Sequence, residues 1–137
     1  MRYTLMENQK DGLLLTGRIL LVVLFVKFGL GKVVAFASTS AYMASADLPV
    51  PSLMTFVAIL MELGVGLAIA IGFYTRPLAL VLAIYTLIAA LIGHPYWNMG
   101  GELRYDSMIN FYKNISIAGG LLILIATGPG AYSLDKR

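Results

Sequence analysis

Residues 52–73 read SLMTFVAILMELGVGLAIAIGF, with Glu62 as the single ionisable side chain. As an α-helix rising 1.5 Å per residue the stretch is about 33 Å long, enough to cross a hydrocarbon core of about 30 Å. A helix on the surface of a soluble domain carries a polar face, and this stretch has none. Three further runs of similar character follow the same logic: about 13–34, 77–93 and 108–127. The punctuation agrees, since Pro51 precedes the second run and Pro77 suits the first turn of the third. Pro95 ends the third, and Gly128-Pro129-Gly130 stops the fourth. The expectation is an all-α protein of one domain, 1–137, crossing the membrane as a four-helix bundle.

Composition supports lipid as the solvent, with 59% hydrophobic and 12% charged residues among 137. The net charge of +3 comes from ten Lys and Arg, single except for Lys136-Arg137, set against seven Asp and Glu, without the basic runs and interleaved aromatics of a nucleic-acid surface. No nucleic-acid partner is expected. The chain has no cysteine, which excludes disulfides, thiolate metal sites, iron–sulfur clusters and cysteine nucleophiles. Basic residues precede the first run, as in a signal peptide. That run is too long for a signal h-region and holds Arg18 and Lys27, so it is read as a helix of the mature protein. Arg2, Lys10, Arg76, Lys136 and Arg137 flank one side of the spans and only Arg104 the other, which predicts both termini on the cytoplasmic side of a bacterial inner (plasma) membrane. Tyr42, Tyr74, Tyr96, Trp97, Tyr105, Tyr112 and Tyr132 lie near span ends, where amphipathic rings settle at headgroup level.

The spans also hold polar groups that lipid does not solvate: Arg18, Lys27, Lys32, Glu62, Lys113 and Asn114. A carboxyl group at Glu62, near the middle of its span, cannot reach either surface and has to be paired or protonated. Steps of about seven residues place Arg18, Phe25, Gly29 and Lys32 on one face of the first helix and Lys27 on the opposite one. Arg18 is expected to meet Glu62 from the inner side, with Lys32, Lys113 and Asn114 approaching from the outer side. Two readings stay open. The charges tie helices together, or they form a basic, outward-facing pocket for a quinone head, a small acid or another anion. His94, the one histidine, stands at the end of the third span, as a cap or as a member of that pocket. One histidine cannot ligate haem from two sides, and no carboxylate cluster has metal spacing, so no metal site is expected.

Several of these residues recur as an ordered set: Gly17-Arg18, Gly29-x-x-Lys32, Glu62 followed by Gly64 and Gly66, Gly72-Phe73-x-Thr75-Arg76, Lys113-Asn114, and Gly128-Pro129-Gly130-x-x-Ser133-Leu134-Asp135. In this the chain resembles the DoxX family of small four-helix bacterial inner-membrane proteins. The resemblance implies an accessory subunit of a membrane redox or envelope-stress system, with a protein partner or a second copy, and a quinone as the candidate ligand. It leaves two rivals, a quinone-linked oxidoreductase subunit and a small proton-linked transporter using Glu62 as carrier. The family's thiosulfate-oxidising association transfers poorly to a chain without cysteine. Lys27 departs from the family pattern, in which an apolar residue is usual.

Overall fold

The computed structural model describes residues 6–135; Arg2, Lys136 and Arg137, which contributed to the expected orientation, lie outside the described residues. Five helices follow in order: α1 (Lys10–Val34), α2 (Phe36–Ser45), α3 (Pro51–Ile71), α4 (Thr75–Gly93) and α5 (Gly101–Thr127). Four of them, α1, α3, α4 and α5, are long and apolar enough to cross a membrane, and no strand occurs among the described residues. Two departures from the sequence reading share one cause. The loop expected after the first span holds α2, and α5 begins at Gly101 instead of Met108. Both extra stretches are helical yet polar or small, FASTSAYMAS and GELRYDS, so a search for apolar length passes over them.

α1 stops at Ala35, whose backbone leaves the helical region at φ −106°, ψ 38°. The chain then turns onto the start of α3, where Ser40 Oγ donates to Thr55 Oγ1 at 2.9 Å and the buried Thr55 hydroxyl donates back to Pro51 O at 2.9 Å. Val22 and Phe25 of α1, Ile69 of α3, Leu82 of α4 and Leu121 of α5 meet in the core. Many other apolar side chains point outward, Leu20 and Ile123 each at 66% exposure. In water this surface would drive aggregation, whereas in lipid it is the solvated face.

At the end of the bundle that carries Arg76 the chain closes on itself. Arg18 is 2% exposed and spends its guanidinium on three carbonyls: Nε on Ala70 O at 3.1 Å, Nη1 on Pro129 O at 2.6 Å, and Nη2 on Tyr132 O at 2.7 Å. One side chain thereby satisfies an orphan carbonyl at the end of α3 and fixes the tail after α5. The tail completes the clasp. Asp135 Oδ1 and Oδ2 accept from the backbone N–H of Tyr74 and Thr75 at 2.8 and 2.7 Å, capping the start of α4 from sixty residues away in sequence. Gly72, at φ +74°, is required there, because a Cβ would fall on Ser133. The expected Arg18–Glu62 contact is therefore not made. Arg18 lies level with the last turn of α3, two turns of helix away from Glu62, and each of its three nitrogens donates to a backbone carbonyl.

Candidate functional site

The site begins with a defect in α3. Between the α-helical stretches Pro51–Ile59 and Gly66–Ile71, residues Leu60–Val65 form a π-helical turn, the kind of widened turn that commonly accompanies functional positions. Glu62 sits in this turn, eleven residues from Pro51 and nine from Ile71. α1 crosses at the same level through Gly29. A Cβ on Gly29 would lie 2.6 Å from Leu63 N and 2.9 Å from Leu63 Cβ, so only glycine lets the two backbones come this close. Gly66 repeats the device more loosely, with Val26 Cγ2 3.3 Å from where its Cβ would be. Gly29→Ala is expected to cost about 1–3 kcal/mol as an overpacked contact. It should also lengthen the ion pair described next, an effect visible as lower resistance to denaturing detergent and as a changed cross-linking distance between α1 and α3.

Each oxygen of the Glu62 carboxylate has a donor. Lys32 Nζ reaches Oε2 at 2.6 Å from one turn above Gly29, and Tyr85 OH reaches Oε1 at 2.8 Å from the middle of α4. The Lys32 and Glu62 side chains are 23% and 12% exposed, and theirs is the one salt bridge among the described residues. This corrects the sequence reading, since Lys32 takes the place given to Arg18. Tyr85 was missed altogether, although the sequence held a signal. It stands ten residues from Thr75 and eight from Gly93, too deep for the headgroup role that suits the other tyrosines.

Beside the triad lies a cavity of about 280 Å³ between α1, α3, α4 and α5. It runs from Tyr85 to His94, nine residues along α4 or about 13 Å, and so extends from mid-bundle to the end of the molecule that carries Trp97. Leu24, Phe25, Phe28 and Ala89 line it with apolar surface. Lys32, Glu62, His94, Lys113 and Asn114 also line it, so five of the six residues named from sequence come together; Arg18 does not. Asn110 joins them, one turn before Lys113, and its Oδ1 accepts from Lys113 Nζ at 2.6 Å. Lys113 lies twelve residues from Gly101 and fourteen from Thr127, and its partner is a neutral amide. Counting Lys32 against Glu62, the cavity keeps one cation without a counter-charge.

Just beyond His94 stands a cluster of rings. Tyr96 and Trp97 of the turn Tyr96–Asn98 stack edge to face, with centroids 5.3 Å apart. Phe111 of α5 packs edge-on against both, at 5.5 and 5.7 Å. Tyr96 and Tyr112 bring their hydroxyls to 3.3 Å. These aromatics hold the turn after His94 against α5.

The residues quoted as an ordered set thus fall into two places. Arg18, Gly72, Gly128-Pro129-Gly130 and Asp135 build the clasp, while Gly29, Lys32, Glu62, Lys113 and Asn114 build the cavity. Comparison with known proteins agrees with that set. The chain is 47% identical over 137 residues to the inner membrane protein YphA of Escherichia coli (strain K12), covering all of this chain and 98% of that protein. It is 41% identical over 131 residues to the inner membrane protein YqjF of the same organism, covering 96% of this chain and 95% of that protein. No solved structure matches. The DoxX family model matches residues 13–95, from the start of α1 through the end of α4, and with these two relatives matching nearly end to end the chain belongs to the DoxX family of inner-membrane proteins.

Proposed function

We propose that this chain is an accessory subunit of an inner-membrane redox or envelope-stress system, and that its cavity holds the head of a quinone or a small organic anion. The observation that carries the reading is the charge of half-buried Lys113, which lines a half-open cavity and has no counter-charge there. A half-buried ammonium hydrogen-bonded only to an amide is costly at membrane depth, and a carbonyl or carboxylate oxygen of a ligand relieves that cost. The amide of Asn114 adds a donor and an acceptor to the same wall. A volume of about 280 Å³ stands at the small end of ligand pockets, which suits a single ring or a short acid and leaves any isoprenoid tail between helices.

With both termini in the cytoplasm, as the Lys and Arg distribution favours, the His94 end of the cavity lies toward the periplasm. The Tyr85–Glu62–Lys32 triad supports one rival, a proton-linked transporter, because it sets an acid, a phenol and an amine in line at mid-depth. The rival requires flux that fails in Glu62→Gln, whereas the binding role requires ligand retention that fails in Lys113→Met. Titration of the purified protein with a short-chain quinone analogue and with a small carboxylate separates the two ligand classes. The expected result is binding of one of them, weakened about tenfold or more when the cationic donor is removed, as for loss of one charged hydrogen bond.

A further inference from the structure

Lys27 is the charge for which the fold offers no use. It lies on the exposed side of α1, opposite the cavity, and no hydrogen bond or ion pair joins it to any described residue. Its exposed neighbours along the helix are apolar in both directions, Leu20 and Val23 on one side and Leu30 and Val34 on the other, at 66%, 55%, 54% and 85% exposure. Its depth follows from the crossing with α3. Gly29 faces Leu63 and Val26 faces Gly66, so Lys27 lies about six or seven residues, or about 10 Å, short of the Ile71 end of α3 and about 20 Å from its Pro51 end. A lysine reaches about 6 Å beyond its Cα, so its ammonium stays within the hydrocarbon at either extreme. Four residues on, Gly31 has open space where a Cβ would stand, which lets another helix approach closely beside the charge.

We propose that this face of α1 seats a membrane-spanning helix of a different protein, one carrying an Asp or Glu near mid-depth that pairs with Lys27. Charge complementarity selects the occupant. Lipid supplies no anion at this level, because its phosphates lie in the headgroups. A second copy supplies none either: Glu7, Asp47, Glu102 and Asp106 are exposed only near helix ends, Asp11 and Asp135 accept backbone N–H groups at the Arg76 end, Glu62 is buried and engaged, and twofold packing would oppose Lys27 to Lys27. The proposal deepens the accessory reading and rests on it, while being independent of what the cavity binds.

The test places a photoreactive benzophenone amino acid at Val23 or Val34 of the full chain in native membranes, with Ile123 on α5 as the lipid-facing control, and identifies the adducts by mass spectrometry. The expected result is an adduct at both α1 positions, absent at Ile123, with one other membrane protein that has an Asp or Glu near the centre of a span. The adduct should fall about tenfold, equivalent to about 1.4 kcal/mol, in Lys27→Met, persist in Lys27→Arg, and be unaffected by Lys113→Met. Adducts with a second copy, with lipid alone, or with a partner lacking an intramembrane carboxylate would overturn the proposal, as would indifference to Lys27→Met. Loss of the adduct in Lys113→Met as well would tie the partner to the cavity and overturn the independence claimed here.

Discussion

Arg18→Met is expected to be the most destabilising single substitution in the chain. Methionine fills much of the same space but leaves the carbonyls of Ala70, Pro129 and Tyr132 without their donor in a site that is 2% exposed. A hydrogen bond from a charged group contributes about 1.5–3 kcal/mol, and part of each loss is recovered by water at the membrane surface. A net cost of about 3–5 kcal/mol follows, in line with breaking other buried charged networks. Because the tail is held by Arg18 and in turn caps α4 through Asp135, the loss spreads to the whole Arg76 end of the bundle. The check is the midpoint of unfolding in mixed detergent micelles, together with proteolysis of the tail. Arg18→Lys should recover only part of the stability, since an ammonium lacks the planar fork that reaches three acceptors at once.

The second large effect lies at the ion pair. Glu62→Gln leaves the Lys32 ammonium facing a neutral amide, and Lys32→Met leaves the carboxylate with Tyr85 as its only donor. Removing one partner of a fully buried pair costs about 3–5 kcal/mol. With these side chains partly exposed to the cavity, about 2–3 kcal/mol is the expected single-variant loss. The double variant Lys32→Met/Glu62→Gln should lose less than the sum, by about 1–2 kcal/mol of coupling energy. A second cycle, Arg18→Met with Glu62→Gln, should be additive, because the two residues share no partner. Additivity in the first cycle, or coupling in the second, would contradict the assignment of Lys32 as the partner.

The polar residues within the spans are legible in the sequence, whereas which of them pair depends on how the helices cross. Four spans follow from apolar length, because backbone groups in lipid must be satisfied within the helix. The shared face of Arg18, Phe25, Gly29 and Lys32 follows from the helical repeat, and Arg18, Val22, Phe25 and Gly29 are indeed the buried residues of α1. Periodicity gives no vertical register between two helices, however. That register is set by Gly29 meeting the π-helical turn, and nothing in LMELGV announces such a turn. With the register known, Arg18 falls at the end of α3, where free carbonyls compete for it more closely than a carboxylate two turns away. Tyr85 shows a different limit: tyrosine near membranes reads as an interfacial anchor, and only its central position in α4 marks the exception. α2 and the first turns of α5 escaped because helix formation and membrane insertion are separate properties, and only the second leaves a hydropathy signal.

Occupancy of the cavity beside Glu62 by a small carbonyl-bearing or anionic molecule, held through Lys113, is the main proposal. It is tested most directly by gentle extraction of the wild-type protein and of Lys113→Met from native membranes, followed by native mass spectrometry with identification of every released small molecule. The account predicts a stoichiometric quinone or organic anion on the wild type that is lost from Lys113→Met, with both proteins folded to the same extent. A wild-type protein that carries no such molecule, or a ligand retained equally by Lys113→Met, would contradict it.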